Sequence, residues 1–381
     1  MNQTKVDKLL LKLVENRISR TESEELLEWL EQEGNREYFN EFVAINQLVN
    51  AKRNFTNKDL LGHKIEKETR KRRYRTYFKY AAAIAGLVTA TFLFRDDIID
   101  LGKPEARSPV IVDNQIRTGT NTAVLTLEDG KDVHLDSESG FSTQNLEAKE
   151  DQVVYRPKKD GVKEVAYNFL TVPRGGQFSL TLSDGTVVWL NSESKLKYPV
   201  DFVEGKSREV HLIYGEAYFD VASSDDNHGD DFKVYHDQQE IRVLGTQFNL
   251  KAYGDEPEIL TTLVEGRVSV THGGETLEIV PGEQSRLNVG TGVVKVSEVD
   301  VLSETSWRNG IFSFKEKPLK EIMRTLSRWY DMEVVFENKA LEDKKFKGVL
   351  RKSQSIEEVL SVIMSNSLDS YEINRKTVIL K

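Results

Sequence analysis

The dipeptide Gly245-Thr246 is the place in this sequence where residue type and spacing suggest covalent chemistry. It stands between an apolar run, Ile241–Leu244, and Phe248. A threonine hydroxyl can attack the carbonyl before it, moving the acyl group from nitrogen to oxygen and leaving an ester that water cleaves. Glycine at the preceding position minimises crowding, and backbone strain would drive the shift. Gly-Thr is also an ordinary turn sequence. Other constellations are thinner. The six histidines (His63, His134, His211, His228, His236 and His272) show no HxxxH spacing, so no metal site is expected. Cysteine is absent, which removes thiol nucleophiles, thiolate metal ligands and disulfides. No GxSxG elbow exists for a serine hydrolase. The acidic stretch Asp225–Asp231 lacks the oxygen pattern of a calcium loop and reads as solvated. Arg174-Gly175-Gly176 precedes no helix and reads as a bend, not a phosphate cradle. Glu216 and Asp220 carry no specific signal in a chain with 62 acidic residues. The expectation is a protein without catalytic residues or cofactors.

The elements around these residues fall into distinct zones. A length of 381 residues suggests two or three domains, and 38% hydrophobic content excludes a multi-spanning membrane protein. The net charge of -9 argues against a nucleic-acid coat. That average divides into +4 for residues 1–79 and -13 for the rest. Residues 1–75 read as a small all-α bundle. Leu9, Leu10, Leu13 and Val14 recur at helical spacing, and Thr21-Glu22-Ser23-Glu24 is a capping-box pattern before Leu26, Leu27, Trp29 and Leu30. Six basic residues then occupy Arg70–Lys79, followed by fifteen uncharged residues, Tyr80–Phe94. Fifteen helical residues rise about 22 Å. Tyr77, Phe78 and snorkelling Lys79 and Arg95 extend that toward a ~30 Å hydrocarbon core, so residues 77–95 are expected to span a membrane once. The basic flank places the N-terminus in the cytoplasm and the C-terminus outside. A buried helix of a soluble protein is the alternative.

Beyond a linker at 96–120 the period changes. Short β-branched segments such as Ala123–Leu127, Phe178–Leu182, Val187–Leu190 and Val268–Thr271 are separated by Asp-Gly, Gly-Gly and Pro-Gly turns, predicting an all-β domain over 121–300. It holds a duplication. LTLEDGKDVHLDSES (Leu125–Ser139) and LTLSDGTVVWLNSES (Leu180–Ser194) match at ten of fifteen positions. Strand, Asp-Gly turn and strand make a hairpin, so stacked hairpins are expected. Residues 308–381 read in the order βαββαββ, a small α+β domain. Pro318 opens its first helix, and Ser355-Ile356-Glu357-Glu358 is a capping box for its second.

Taken together, several strings resemble the FecR family of anti-sigma regulators. They are TVPRGGQFSLTLSDGTVVWLNSESKLKYPVDF (Thr171–Phe202), REVHLIYGEAYFDVA (Arg208–Ala222), IRVLGTQFNLKAY (Ile241–Tyr253) and LVEGRVSV with the later VPGEQ. The tail from FSFKEKPLKEIMRTLSRWYDMEVVF onward resembles the domain that often follows FecR, and ISRTESEELLEWLEQEG resembles the family's helical sigma-binding region. The resemblance is weakest at 36–75 and 96–120. It implies a cytoplasmic segment that holds an extracytoplasmic-function sigma factor, with Leu26, Leu27, Trp29 and Leu30 on the binding face. It implies a single span in the inner membrane of a Gram-negative bacterium. It further implies a periplasmic part that senses the signalling domain of a TonB-dependent outer-membrane transporter, and a C-terminal domain like the secretin/TonB short N-terminal fold. Self-cleavage at Gly245-Thr246 is implied by several relatives. No direct nucleic-acid contact is expected. A membrane-anchored periplasmic enzyme or carbohydrate-binding module is the alternative, with Trp189, Tyr198, Tyr218 and Tyr253 available to stack on sugars.

Overall fold

Alternation of apolar with polar residues gives strands that bury one face. Tyr167–Val172, Phe178–Thr181 and Val187–Leu190 each alternate between buried and half-buried positions residue by residue. The computed structural model describes residues 109–381, apart from 137–139, 144, 150, 157–164, 238, 368–369 and the side chains of 149 and 365–367, together with Val6, Leu9, Glu22, Glu25, Leu26 and Trp29. The chain divides into two units, Met1–Ser108 and Pro109–Lys381. In the first, Val6, Leu9, Leu26 and Trp29 are helical and buried. The rest of the expected bundle and the expected span at 77–95 lie outside the described residues. No described helix is long and apolar enough to cross a membrane.

In the second unit, the strands between Ala123 and Glu298 form one continuous 18-stranded sheet. It folds into two layers. Neighbour to neighbour, the first layer runs Asp132–Leu135, Ala123–Thr126, Tyr167–Val172, Ser194–Pro199, Arg208–Asp220, Phe232–His236, Gln239–Val243, Val268–His272, Glu275–Ile279. The second runs Phe141–Ser142, Leu146–Lys149, Gln152–Tyr155, Phe178–Thr181, Val187–Leu190, Arg208–Asp220, Gln247–Ala252, Glu258–Glu265, Glu283–Asn288, Val294–Glu298. Leu125, Leu170 and Val234 of the first layer share one core with Leu180, Phe248 and Leu287 of the second.

Arg208–Asp220 belongs to both layers. It pairs in the first up to Tyr214 and in the second from Gly215 onward. Gly215 makes the passage at φ +104, where a Cβ would lie 2.2 Å from Ser194 Oγ, so glycine alone fits. The duplicated segments form one hairpin in each layer. Their turns are alike. Gly130 N donates to Leu127 O at 2.9 Å and Gly185 N to Leu182 O at 3.0 Å.

The C-terminal part has its own core, built from Phe312, Leu319, Ile322, Leu326, Val359, Ile363 and Val378 among others. A short helix, α1 (Val301–Thr305), leads into it. The strand Ile311–Pro318, helix α2 (Leu319–Tyr330), the strands Glu333–Phe336 and Lys345–Arg351, helix α3 (Ile356–Ser367), and the strands Tyr371–Asn374 and Thr377–Leu380 follow the expected order βαββαββ. The predicted capping box closes reciprocally. Glu358 N donates to Ser355 Oγ at 3.3 Å, and Ser355 N donates to Glu358 Oε2 at 3.1 Å. Ile311–Pro318 pairs with Lys345–Arg351. The other sheet has four strands in the order Val110–Val112, Tyr371–Asn374, Thr377–Leu380, Glu333–Phe336. Its outermost strand therefore comes from residues the sequence assigns to the linker. Three apolar residues without flanking alternation are too short a signal to separate strand from connector.

Candidate functional site

The α+β domain docks on the β domain through cations that leave its surface and enter the partner layer. Arg328, near the end of α2, is only 3% exposed. Its guanidinium lies 3.6 Å from the Tyr253 ring centre and donates to Glu256 at 2.8 Å and Glu193 at 3.2 Å, and to Asp255. Burial acts to lower the Arg328 pKa, yet Tyr253, Glu256 and Asp255 raise it on balance. Burial likewise acts to raise the Glu256 pKa, but Lys251 and then Arg328 hold it below the usual carboxylate range. Asp255 is largely exposed and Glu193 partly so, whereas Tyr253 is buried and Glu256 mostly so, and these two carry most of the contact.

Lys352 follows the strand Lys345–Arg351 and is 4% exposed. Its ammonium donates to Gln177 Oε1 at 2.6 Å and to Asn191 Oδ1 at 3.3 Å. The rings of Trp329, Phe312 and Trp307 surround it at 4.2, 5.3 and 5.5 Å. Burial pushes its pKa down to about 7, against a partial opposing pull from Glu216. Glu216 itself is buried and accepts from Asn191 at 2.8 Å and Asn249 at 3.0 Å. Burial raises its pKa, with Lys251 and the two amides opposing. The carboxylate thus orients the asparagines that receive the neighbouring domain, for Trp307 Nε1 donates to Asn249 Oδ1 at 3.2 Å. A cavity of about 70 Å³ lies beside it, lined by Asn191, Glu216, Lys251, Trp307, Phe312 and Lys317 among others.

Arg174-Gly175-Gly176 is a bend, as its sequence suggests, and the structure adds what the bend does. Gly175, at φ +73, donates its N–H to Arg328 O at 2.7 Å. Arg174 Nη2 donates to Ser327 O at 3.0 Å and Met332 O at 2.7 Å. One domain therefore caps the C-terminal carbonyls of a helix in the other, where the helix dipole favours a cation. The sequence reading did not single out Arg328, Lys352 or Trp307. An isolated basic residue off the apolar stripe of α2 looks like a solvated face; the adjoining Trp329-Tyr330 pair is the only local hint that this end is covered.

Gly245 and Thr246 form the step between Gln239–Val243 and Gln247–Ala252. Thr246 is buried, donates its hydroxyl to Arg267 O at 3.0 Å and accepts from Arg267 N at 3.4 Å. Neither residue has a left-handed φ. A Cβ on Gly245 would come within 3.1 Å of Ser223 Cα, so the glycine admits a close backbone approach. In the acidic loop, Asp230 accepts from Gly205 N, and Asp231 from Ser207 and Arg242.

Of the four aromatics named for sugar stacking, Tyr198, Tyr218 and Tyr253 are buried and Trp189 is half-buried. Tyr198 is buried against Tyr155, Tyr253 lies under Arg328, and Arg308 covers Tyr218 at 3.9 Å and Trp189 at 4.9 Å. Of the expected sigma-binding residues, Leu26 and Trp29 are helical and buried, while Leu27 and Leu30 lie outside the described residues.

Comparison with known proteins agrees with this architecture. Residues 169–269 match "FecR protein" and residues 311–380 match "FecR, C-terminal". Two crystal structures of a candidate anti-sigma factor from Parabacteroides distasonis, at 1.65 Å and 2.50 Å resolution, are similar to this chain. Each is 29% identical at a TM-score of 0.50, over 56% of this chain and 98% of theirs. No curated protein matches. The matched ranges correspond to the two parts joined by Arg174, Arg328 and Lys352: a FecR domain followed by a FecR C-terminal domain.

Proposed function

We propose that this protein is an anti-sigma factor and transmembrane signal transducer. It holds an extracytoplasmic-function sigma factor at the inner membrane and responds to the signalling domain of a TonB-dependent outer-membrane transporter. The observation that carries this reading is the pair of family matches in series, together with similarity to a candidate anti-sigma factor over 98% of its crystallised chain. The basic run at 70–79 and the apolar stretch at 77–95 support a single span with the N-terminus cytoplasmic and residues from 96 onward periplasmic. Sensing by binding needs no catalytic residues. The burial of Tyr198, Tyr218 and Tyr253 leaves the carbohydrate-binding alternative without a supporting surface from those three residues.

Sigma binding is assigned to Leu26, Leu27, Trp29 and Leu30, because large apolar anchors dominate such contacts. Since Leu26 and Trp29 are buried in the free chain, the partner exchanges for contacts already made. Affinity capture with the tagged full chain, followed by mass spectrometry, is expected to recover a sigma factor. Trp29→Ala is expected to reduce that recovery at least about 30-fold, the scale of a hot-spot loss near 2 kcal/mol. Undiminished recovery by a variant with wild-type helix content would remove Trp29 from the binding face. A folded wild-type bait that recovers no sigma factor would overturn the functional reading.

Self-cleavage at Gly245-Thr246 is a second part of the proposal. The hydroxyl lies against the backbone of Arg267, so attack on the Gly245 carbonyl requires it to leave those two partners. Intact-mass analysis of protein from cells is expected to show fragments ending at Gly245 and beginning at Thr246, with only full-length chain for Thr246→Ala. Full-length wild-type chain alone would refute cleavage.

A further inference from the structure

We propose that the edge of Tyr371–Asn374 is an exchangeable strand site. Val110–Val112 fills it within the chain, and an extended, β-branched apolar segment of a second protein takes its place, running parallel. This goes beyond the functional reading above and does not depend on sigma binding.

Three of the four strands in this sheet belong to the C-terminal domain, and the fourth does not. Val110, Ile111 and Val112 stand opposite Glu372, Ile373 and Asn374 in a parallel ladder, the slightly weaker of the two pairing modes. A strand that belonged to the core would bury alternate side chains. Here none is buried: Val110 is 51% exposed, Ile111 48% and Val112 49%. Pairing thus rests mainly on backbone hydrogen bonds, with Arg375 N donating to Val112 O and Gln115 N to Arg375 O, each at 3.1 Å.

The composition of the strand is as informative as its exposure. Edge strands are usually blunted by charge, proline or a bulge so that they do not recruit other chains. This one presents three consecutive β-branched apolar residues. The resident strand therefore shows what the edge accepts through its backbone: an extended segment of β-branched residues, running parallel. An incoming segment of that kind reproduces every backbone bond the resident strand makes.

The residues just after the strand are held differently. Ile116 is buried in the C-terminal core, and Asn114 Nδ2 donates to Glu357 at the start of α3. Gly119 lies so close to Trp329 that a Cβ would meet its ring at 2.6 Å. Between the loose and the anchored halves stands Asp113, at φ +46, a left-handed conformation costly for any residue but glycine and tolerated best by Asn and Asp. The strand can therefore leave its edge at Asp113 while residues 114–120 stay docked.

The absence of cysteine makes the test direct. Full-length chain carrying Asn374→Cys is purified in detergent and incubated with a peptide of residues 109–119 bearing Val112→Cys, in a glutathione redox buffer. Partner residues on neighbouring strands lie about 5 Å apart, within disulfide reach. The expected result is register-specific capture, several-fold above a scrambled peptide with the same cysteine. Adding Ile116→Ala to the chain is expected to raise capture about tenfold, because it lowers occupancy by the resident strand. The intrachain variant Val112→Cys/Asn374→Cys should lock spontaneously. Locking without peptide capture above the scrambled control would show a permanent strand and overturn the proposal. Failure to lock would overturn it by removing the pairing. Preferential cross-linking between Val112→Cys and Asn374→Cys copies of the chain would overturn it in favour of a second copy as occupant.

Discussion

Arg328→Ala is expected to destabilise the Pro109–Lys381 unit by about 3–5 kcal/mol, the cost typical of breaking a buried ion pair from one side. The loss comes from what stays behind. Glu256 remains buried with Lys251 as its remaining cation, at 2.7 Å, and the face of Tyr253 loses the guanidinium stacked on it. Three carbonyl-capping contacts from Arg174 and Gly175 converge on the same helix end, so loosening one loosens the others. Glu256 has a depressed folded pKa. Its contribution is therefore present above its unfolded value, near 4.5, and is lost as pH falls through the lower folded value. The deficit of Arg328→Ala should accordingly be largest at neutral pH and shrink in acid. Thermal unfolding followed by tryptophan fluorescence measures it, because Trp307 and Trp329 both lie at the seam. Adding Glu256→Gln should recover part of the loss, a coupling of more than about 0.5 kcal/mol. A variant that unfolds like wild type at pH 7 would show that the seam does not depend on this arginine.

Lys352→Met should move stability the other way near neutral pH. The folded-state pKa of Lys352 is about 7, against an ordinary value of 10.5. Between those limits the unfolded chain binds a proton that the folded chain lacks. Wild-type stability then rises with pH across that window, by up to about 1.4 kcal/mol per pH unit from this group alone. Below about 7 both states are protonated and the penalty is constant. Methionine carries no proton and keeps the apolar contact with Trp307, Phe312 and Trp329, while Gln177 Oε1 loses its donor. Replacing a buried charge with an apolar side chain of similar volume gives about 1–4 kcal/mol when packing is kept, and the unpaired amide returns about 1–3 of it. A net gain of about 1 kcal/mol at pH 7 follows, falling steadily as pH rises toward 10. Stability curves for variant and wild type that run parallel from pH 7.5 to 9.5 would mean that this amine titrates as in water.

Both predictions concern a seam in which charges and amides are packed among aromatic rings. Seams of that kind resemble transient interfaces and separate more readily than a shared core. Each domain keeps its own hydrophobic cluster, so parting them would expose polar groups without dissolving either core.

Local chemistry was legible in the sequence wherever neighbours in the chain are also neighbours in space. Period-two alternation marked Phe178–Thr181 and Val187–Leu190, and Asp-Gly placed their turn at Gly185, because a positive φ is cheap only for glycine. Ser355 and Glu358 announced the start of α3 because a capping box closes within four residues. The order βαββαββ was legible for the same reason, and so were the strings that resemble the FecR family. The tertiary structure alone decided the remainder. Arg328 and Lys352 read as solvated charges until a second domain is laid against them, since burial of a cation depends on residues such as Glu256, Tyr253 and Asn191 that lie far away in the chain. Val110–Val112 reads as linker until Tyr371–Asn374 supplies its backbone partners. A strand is defined by its hydrogen bonds to another strand, and no window of local sequence contains both sides of a pairing that joins the two ends of the Pro109–Lys381 unit.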